Sequence, residues 1–73
     1  MSQLFVIGNE NRISKIYDNL EKAKQQLKNI YDNTPDYKHY GYKIMVYNFH
    51  ENEYIISNIT YTYKFDTFSI HSK

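Results

Sequence analysis

The first apolar positions form a run, Leu4-Phe5-Val6-Ile7, closed by Gly8-Asn9-Glu10-Asn11, residues that tolerate positive φ and form turns. Arg12 to Tyr17 then resumes extended character. Two such runs around a Gly/Asn turn predict a β-hairpin. Next the period changes. Leu20, Ala23, Leu27, Ile30 and Tyr31 recur at intervals that place them on one stripe of a helix, with Glu21, Lys22, Gln25, Lys28 and Asn29 facing water. Asp18 is the expected N-cap, with Glu21 reaching back as in a capping box. Asp32-Asn33-Thr34-Pro35 ends the helix: Asn33 can take a left-handed cap, and Pro35 cannot continue the turn.

Pro35 to Gly41 reads as a loop crowded with side chains: Asp36, Tyr37, Lys38, His39 and Tyr40. From Tyr42 the period becomes two. Tyr42, Ile44 and Val46 point one way, and Lys43, Met45, Tyr47 and Phe49 the other. After the polar turn His50-Glu51-Asn52-Glu53, residues Ile55, Ser57, Ile59, Tyr61, Tyr63 and Phe65 line one face of a long strand. Tyr54, Ile56, Asn58, Thr60 and Thr62 line its other face. Phe68 and Ile70 could extend that strand, add a short fifth one or pack as a tail. The order predicts a single α+β domain over residues 1–73: ββαββ, an antiparallel four-stranded sheet with one helix on one face.

With only 73 residues, the chain buries about 60 to 65% of its unfolded surface, so its stability needs support. It has no cysteine, which removes disulfides and thiolate metal sites. His39, His50 and His71 are too far apart in sequence to suggest a zinc site, so neither metal nor cofactor is expected. Oligomerisation or aromatic packing remains. The apolar run near Met1 is too short for a signal-peptide core or a membrane span, so the expected location is intracellular.

No constellation of residues points to catalysis. His39 could act as a base oriented by Asp36, but no Ser or Cys stands near it in sequence; a histidine packed on tyrosines is the simpler account. Glu51/Glu53 flank a turn, and Asp32/Asp36 flank a helix end, with no sign of a cleft between either pair. Gly8 and Gly41 are isolated, so no phosphate-cradling loop can be built. The chain is therefore expected not to be an enzyme.

The nine tyrosines carry the remaining functional signal. Their apolar body and polar tip suit both sheet packing and interfaces. One helix covers one sheet face, yet the strands from Tyr42 to Phe65 carry large apolar residues on both. An uncovered face of that kind marks a partner site. Tyr47, Tyr61 and Tyr63 on the sheet, with Tyr37, His39 and Tyr40 in the loop, are the candidate contact residues for a protein partner or a second copy. The alternatives are a single-stranded nucleic-acid-binding module, with tyrosines stacking bases beside Lys43 and Lys64, and a small inhibitor of a host or rival enzyme. A formal net charge of +1 argues against the nucleic-acid alternative.

Ile, Asn, Lys, Tyr and Phe make up 38 of the 73 residues, a bias that points to an AT-rich genome. The segment Ile16-Tyr17-Asp18-Asn19-Leu20-Glu21-Lys22-Ala23, followed by Leu27, Ile30-Tyr31 and Thr34-Pro35-Asp36-Tyr37, resembles small proteins of giant DNA viruses related to the mimiviruses. So do Tyr42-Lys43-Ile44, Asn52-Glu53-Tyr54-Ile55-Ile56 and Thr62-Tyr63-Lys64-Phe65-Asp66. The resemblance implies a viral accessory protein of the host cytoplasm or the virion, and supplies no activity or site residues.

Overall fold

The computed structural model describes residues 3–72, the side chain of Asp36 excepted. Its elements are β1 (Gln3–Gly8), β2 (Ile13–Tyr17), α1 (Leu20–Asn33), α2 (Asp36–His39), β3 (Lys43–His50), β4 (Glu53–Lys64) and β5 (Thr67–Ser72). The strands form one antiparallel sheet in the order β2-β1-β3-β4-β5, and α1 lies on one face against β1 and its neighbours. The class is α+β with one sheet and one main helix, but the sheet has five strands rather than four.

The first hairpin depends on Gly8. A Cβ there would run into the carbonyl oxygen of Arg12, because the pairing slips between Ile7 and Gly8 and brings the two backbones together. Asn9 stabilises the turn: its N–H donates to the Arg12 carbonyl at 2.8 Å, and its side chain accepts from Asn11 N–H at 2.8 Å.

The helix begins one residue later than the acidic signal suggests. Asn19, extended at φ −136°, is the N-cap; its side-chain oxygen accepts from Lys22 N–H at 3.1 Å. At the other end Asn33 stays helical and donates to the Asn29 carbonyl, while Thr34 leaves in an extended conformation, as the residue before a proline prefers. Ala23 and Leu27 are fully buried, and Leu20, Ile30 and Tyr31 pack around them, as the stripe predicts. They meet Phe5, Ile7, Tyr42, Ile44, Val46 and Tyr63 from the sheet.

The expected aromatic loop contains the short helix α2, ended by Tyr40 and Gly41, both at positive φ. Two further turns use the same backbone region without a glycine. Glu51 and Asn52 connect β3 to β4, and Phe65 and Asp66 connect β4 to β5, all four at φ between 50° and 70°. Paired positive-φ residues give the turn whose twist matches a hairpin. Phe65 was expected on a strand face; it sits in this turn instead, 96% exposed. That turn reverses the chain and makes Phe68 and Ile70 part of a fifth strand.

Strand β4 is longer than its neighbours and bends. Met45 pairs with Thr60 and Tyr47 with Ile56, so Val46 alone stands opposite Ser57, Asn58 and Ile59. The Ser57 hydroxyl accepts the Ile59 N–H at 3.1 Å within this irregularity. β5 pairs with Ile59 to Lys64 only. The outer edge of residues 53–57 therefore has no strand beside it among the described residues.

Leu27→Ala should destabilise the fold by about 2 to 4 kcal/mol, the range for a leucine lost from a closed core. Gln25→Ala, on the exposed side of the helix, should change almost nothing. Equal midpoint shifts for the two in urea would mean that the helix docks through another face.

Candidate functional site

The two-residue loop between β3 and β4 decides which side chains share a face. It sets His50 opposite Glu53 and hence Phe49 opposite Tyr54 and Tyr47 opposite Ile56. Odd-numbered residues of β3 thus stand beside even-numbered residues of β4. The opposite combination, Tyr47 with Tyr61 and Tyr63, was expected, and the structure corrects it.

Tyr61 and Tyr63 lie on the helix side. Tyr63 is buried against Tyr31 and Phe68, with ring centroids 5.8 and 4.8 Å away, and its hydroxyl donates to Asp66 at 3.0 Å. Lys24 lies 5.5 Å from the centroids of Tyr61 and Phe68, and Lys28 lies 5.9 Å from that of Tyr63. The two ammonium groups stand over the aromatic faces at the outer part of the core as cations on rings. Burial, then the hydrogen bond to Asp66, raises the Tyr63 pKa. The bond to Asp32 raises that of Lys28.

His39 is also structural. It is buried at the end of α2 with its ring 3.9 Å from that of Tyr31, whose hydroxyl donates to the Tyr42 carbonyl at 2.9 Å. The Asp36 side chain, its expected orienting partner, lies outside the described residues. Tyr37 and Tyr40 are exposed, Tyr40 beside the β1–β2 turn where its carbonyl accepts from Asn9. The six candidate contact residues therefore fall into separate places: Tyr47 on the uncovered face, Tyr61, Tyr63 and His39 under or beside the helix, and Tyr37 and Tyr40 at the α2 end.

The face opposite the helix is apolar. Val6 and Met45 form its floor, only 4% and 7% exposed although no helix lies over them. Ile13 and Ile16 on β2 flank this floor on one side and Ile56 on β4 on the other, with Tyr47 between them. A groove of about 750 Å³ runs over Met45, walled by the β1–β2 turn, by Ile56 and Thr60, and by His71. His71 bonds Thr62 at 2.9 Å, and Lys43 reaches Glu10 at 3.4 Å. Beyond the groove, Phe49 and Tyr54 contact each other at 5.0 Å, 46% and 40% exposed, and project with the hairpin tip. The strand periodicity grouped Phe49 with Met45 and Tyr47, but missed Tyr54, Ile56, Ile13 and Ile16 as part of the same surface. The signal was available in the two-residue loop, whose pairing fixes the faces.

The accessible surface is 5318 Å², against about 4,800 Å² expected for a compact monomer of this mass. No described group of side chains could hold a metal ion, and no described helix is long and apolar enough to cross a membrane. Compared with protein-family models, with curated proteins and with solved structures, the chain matches none.

Tyr63 gives a pH test of this arrangement. A raised pKa means that the fold holds the neutral phenol, so its contribution is complete below the ordinary tyrosine value near 10 and is lost as pH rises through the raised value. The Lys28 shift acts in the same direction. Melting temperature should fall above pH about 10, and Tyr63→Phe should flatten that fall, leaving the part of the Lys28 shift that Asp32 causes. An unchanged alkaline slope in Tyr63→Phe would show that the phenol is not held in the core.

Proposed function

We propose that the chain is a non-enzymatic interaction domain, of the viral accessory type suggested by its composition, which binds another protein through the sheet face opposite the helix. The observation that carries this reading is the apolar surface of Met45, Tyr47, Phe49, Tyr54 and Ile56, left without a covering layer among the described residues. A patch of that kind is rare on a small monomer unless something docks there. The aromatic anchors stand at its centre and tip, the residue types enriched at interface cores.

Single-stranded nucleic acid is a weaker fit to the same face. Stacking would use Phe49 and Tyr54, but these sit beside Glu51 and Glu53, whose charges repel phosphate. The cations Arg12, Lys43 and Lys64 lie at the other end of the strands.

A photo-crosslinking residue at Tyr47, and separately at Gln25 on the outer helix surface, tests the reading in the cell that makes the protein. Protein adducts should form from position 47 and not from 25; equal yields, or none from 47, would refute it. Affinity for single-stranded DNA or RNA at physiological salt should be weaker than about 1 μM with a shallow salt dependence. Tighter binding would favour the nucleic-acid alternative.

A further inference from the structure

We infer that the partner of the uncovered face is a second copy of this chain, stacked on it about a two-fold axis that lies between the sheets and runs across the strands. This rests on the proposed use of the face and goes further by naming its occupant.

The face is complementary to itself end over end. At one end of the strands stand the projecting rings of Phe49 and Tyr54, with Glu51 in the turn at the tip; Glu53, paired with His50, falls on the helix side. At the other lie the groove over Met45 and the cations Arg12, Lys43 and Lys64, Lys43 being paired at 3.4 Å with Glu10 of its own chain. An axis parallel to the strands would set tip against tip and bring the carboxylates together. An axis across the strands sets each tip on the groove of the other copy, so that both contacts are made twice.

The spacing along β3 suits that axis. Lys43 stands four residues before Tyr47, about 13 Å at strand rise; on the other side three residues, about 10 Å, lead to His50, and Glu51 opens the turn just beyond it. With the axis at Tyr47, the turn that carries Glu51 in each copy comes over the Lys43 end of the other. Tyr47 and Ile56, opposite one another on the strands, fall at the centre. The rings of Phe49 and Tyr54 enter a groove of about 750 Å³, which has room for both.

The molecule measures 39 by 23 by 22 Å, so its broad side has an outline of roughly 900 Å², of the same order as the surface of about 800 Å² that each partner buries in a standard interface. Two sheets stacked face to face also have a known geometry, with strands of the two layers within about 30° of one another.

The test is sedimentation of the full chain from about 1 to 100 μM, with melts at the lowest concentration to monitor the fold. The wild-type chain should be a dimer at the upper end and should melt at a higher temperature there. Phe49→Glu should weaken association by at least about tenfold while leaving the low-concentration melt unchanged. Glu51→Lys should weaken it too, and adding Lys43→Glu should recover part of the loss, because only the end-over-end stack pairs these positions. A monomer at about 100 μM, a dimer indifferent to Phe49→Glu, or a Glu51→Lys defect that Lys43→Glu deepens would overturn the proposal. If the chain is monomeric but position 47 still crosslinks to a different protein, the second copy is excluded while the docking face stands.

Discussion

A helix about 10 Å across cannot roof a sheet whose outer strands stand about 19 Å apart. The rest of the molecule follows from that shortage. The closed core is confined to the strip where Ala23 and Leu27 meet Ile7 and Ile44. Outside it, long side chains replace secondary structure as cover: Tyr31, Tyr61, Tyr63 and Phe68 extend the packing, and the ammonium groups of Lys24 and Lys28 stand over Phe68 and Tyr63. This also accounts for much of the tyrosine content. A ring spans more of the gap than a leucine, and its hydroxyl can end at water, at the Asp66 carboxylate or at the Tyr42 carbonyl without being stranded. On the opposite face nothing comparable is available. There Val6 and Met45 are shielded by the flanking walls of the groove, and the rings at the hairpin tip stand clear.

What the sequence disclosed divides along physical lines. The helix stripe and the Gly8 turn were legible because each depends on local periodicity or on a residue type with one strong preference. The N-cap was displaced by a residue because Asp18 and Asn19 are both capable caps, and it is Asn19 that accepts the Lys22 N–H. The fifth strand was harder to see. Its turn uses Phe65 and Asp66, and a phenylalanine at φ 51° is disfavoured by about 1 kcal/mol. The strain is held by pairing from Lys64–Thr67 to Ile59–Ser72, which no local rule reports.

The candidate surface was half legible. That one face would lie uncovered follows from counting elements. Which residues make it depends on a two-residue loop and on the irregularity in β4, where the chain gains two residues without changing faces. Tyr61 and Tyr63 were reasonable contact candidates by type alone, and the pairing register places them inside. Their exchange for Phe49, Tyr54 and Ile56 changes the electrostatics of the site as well. Aromatic residues then stand near Glu51 and away from Lys43 and Lys64, and an aromatic–basic platform gives way to an aromatic tip.

The unaccompanied outer edge of residues 53–57 has a consequence for handling the protein. Glu-Tyr-Ile-Ile-Ser offers open backbone groups, two adjacent β-branched residues, no lysine and no proline, the composition that lets identical chains add to one another without limit. The bend at Ser57 acts as a brake. By diverting the Ile59 N–H to a side chain and kinking the strand, it keeps the straight stretch to five residues, short for a growing fibril. Loss of that bend would turn an orderly hairpin into a template for aggregation.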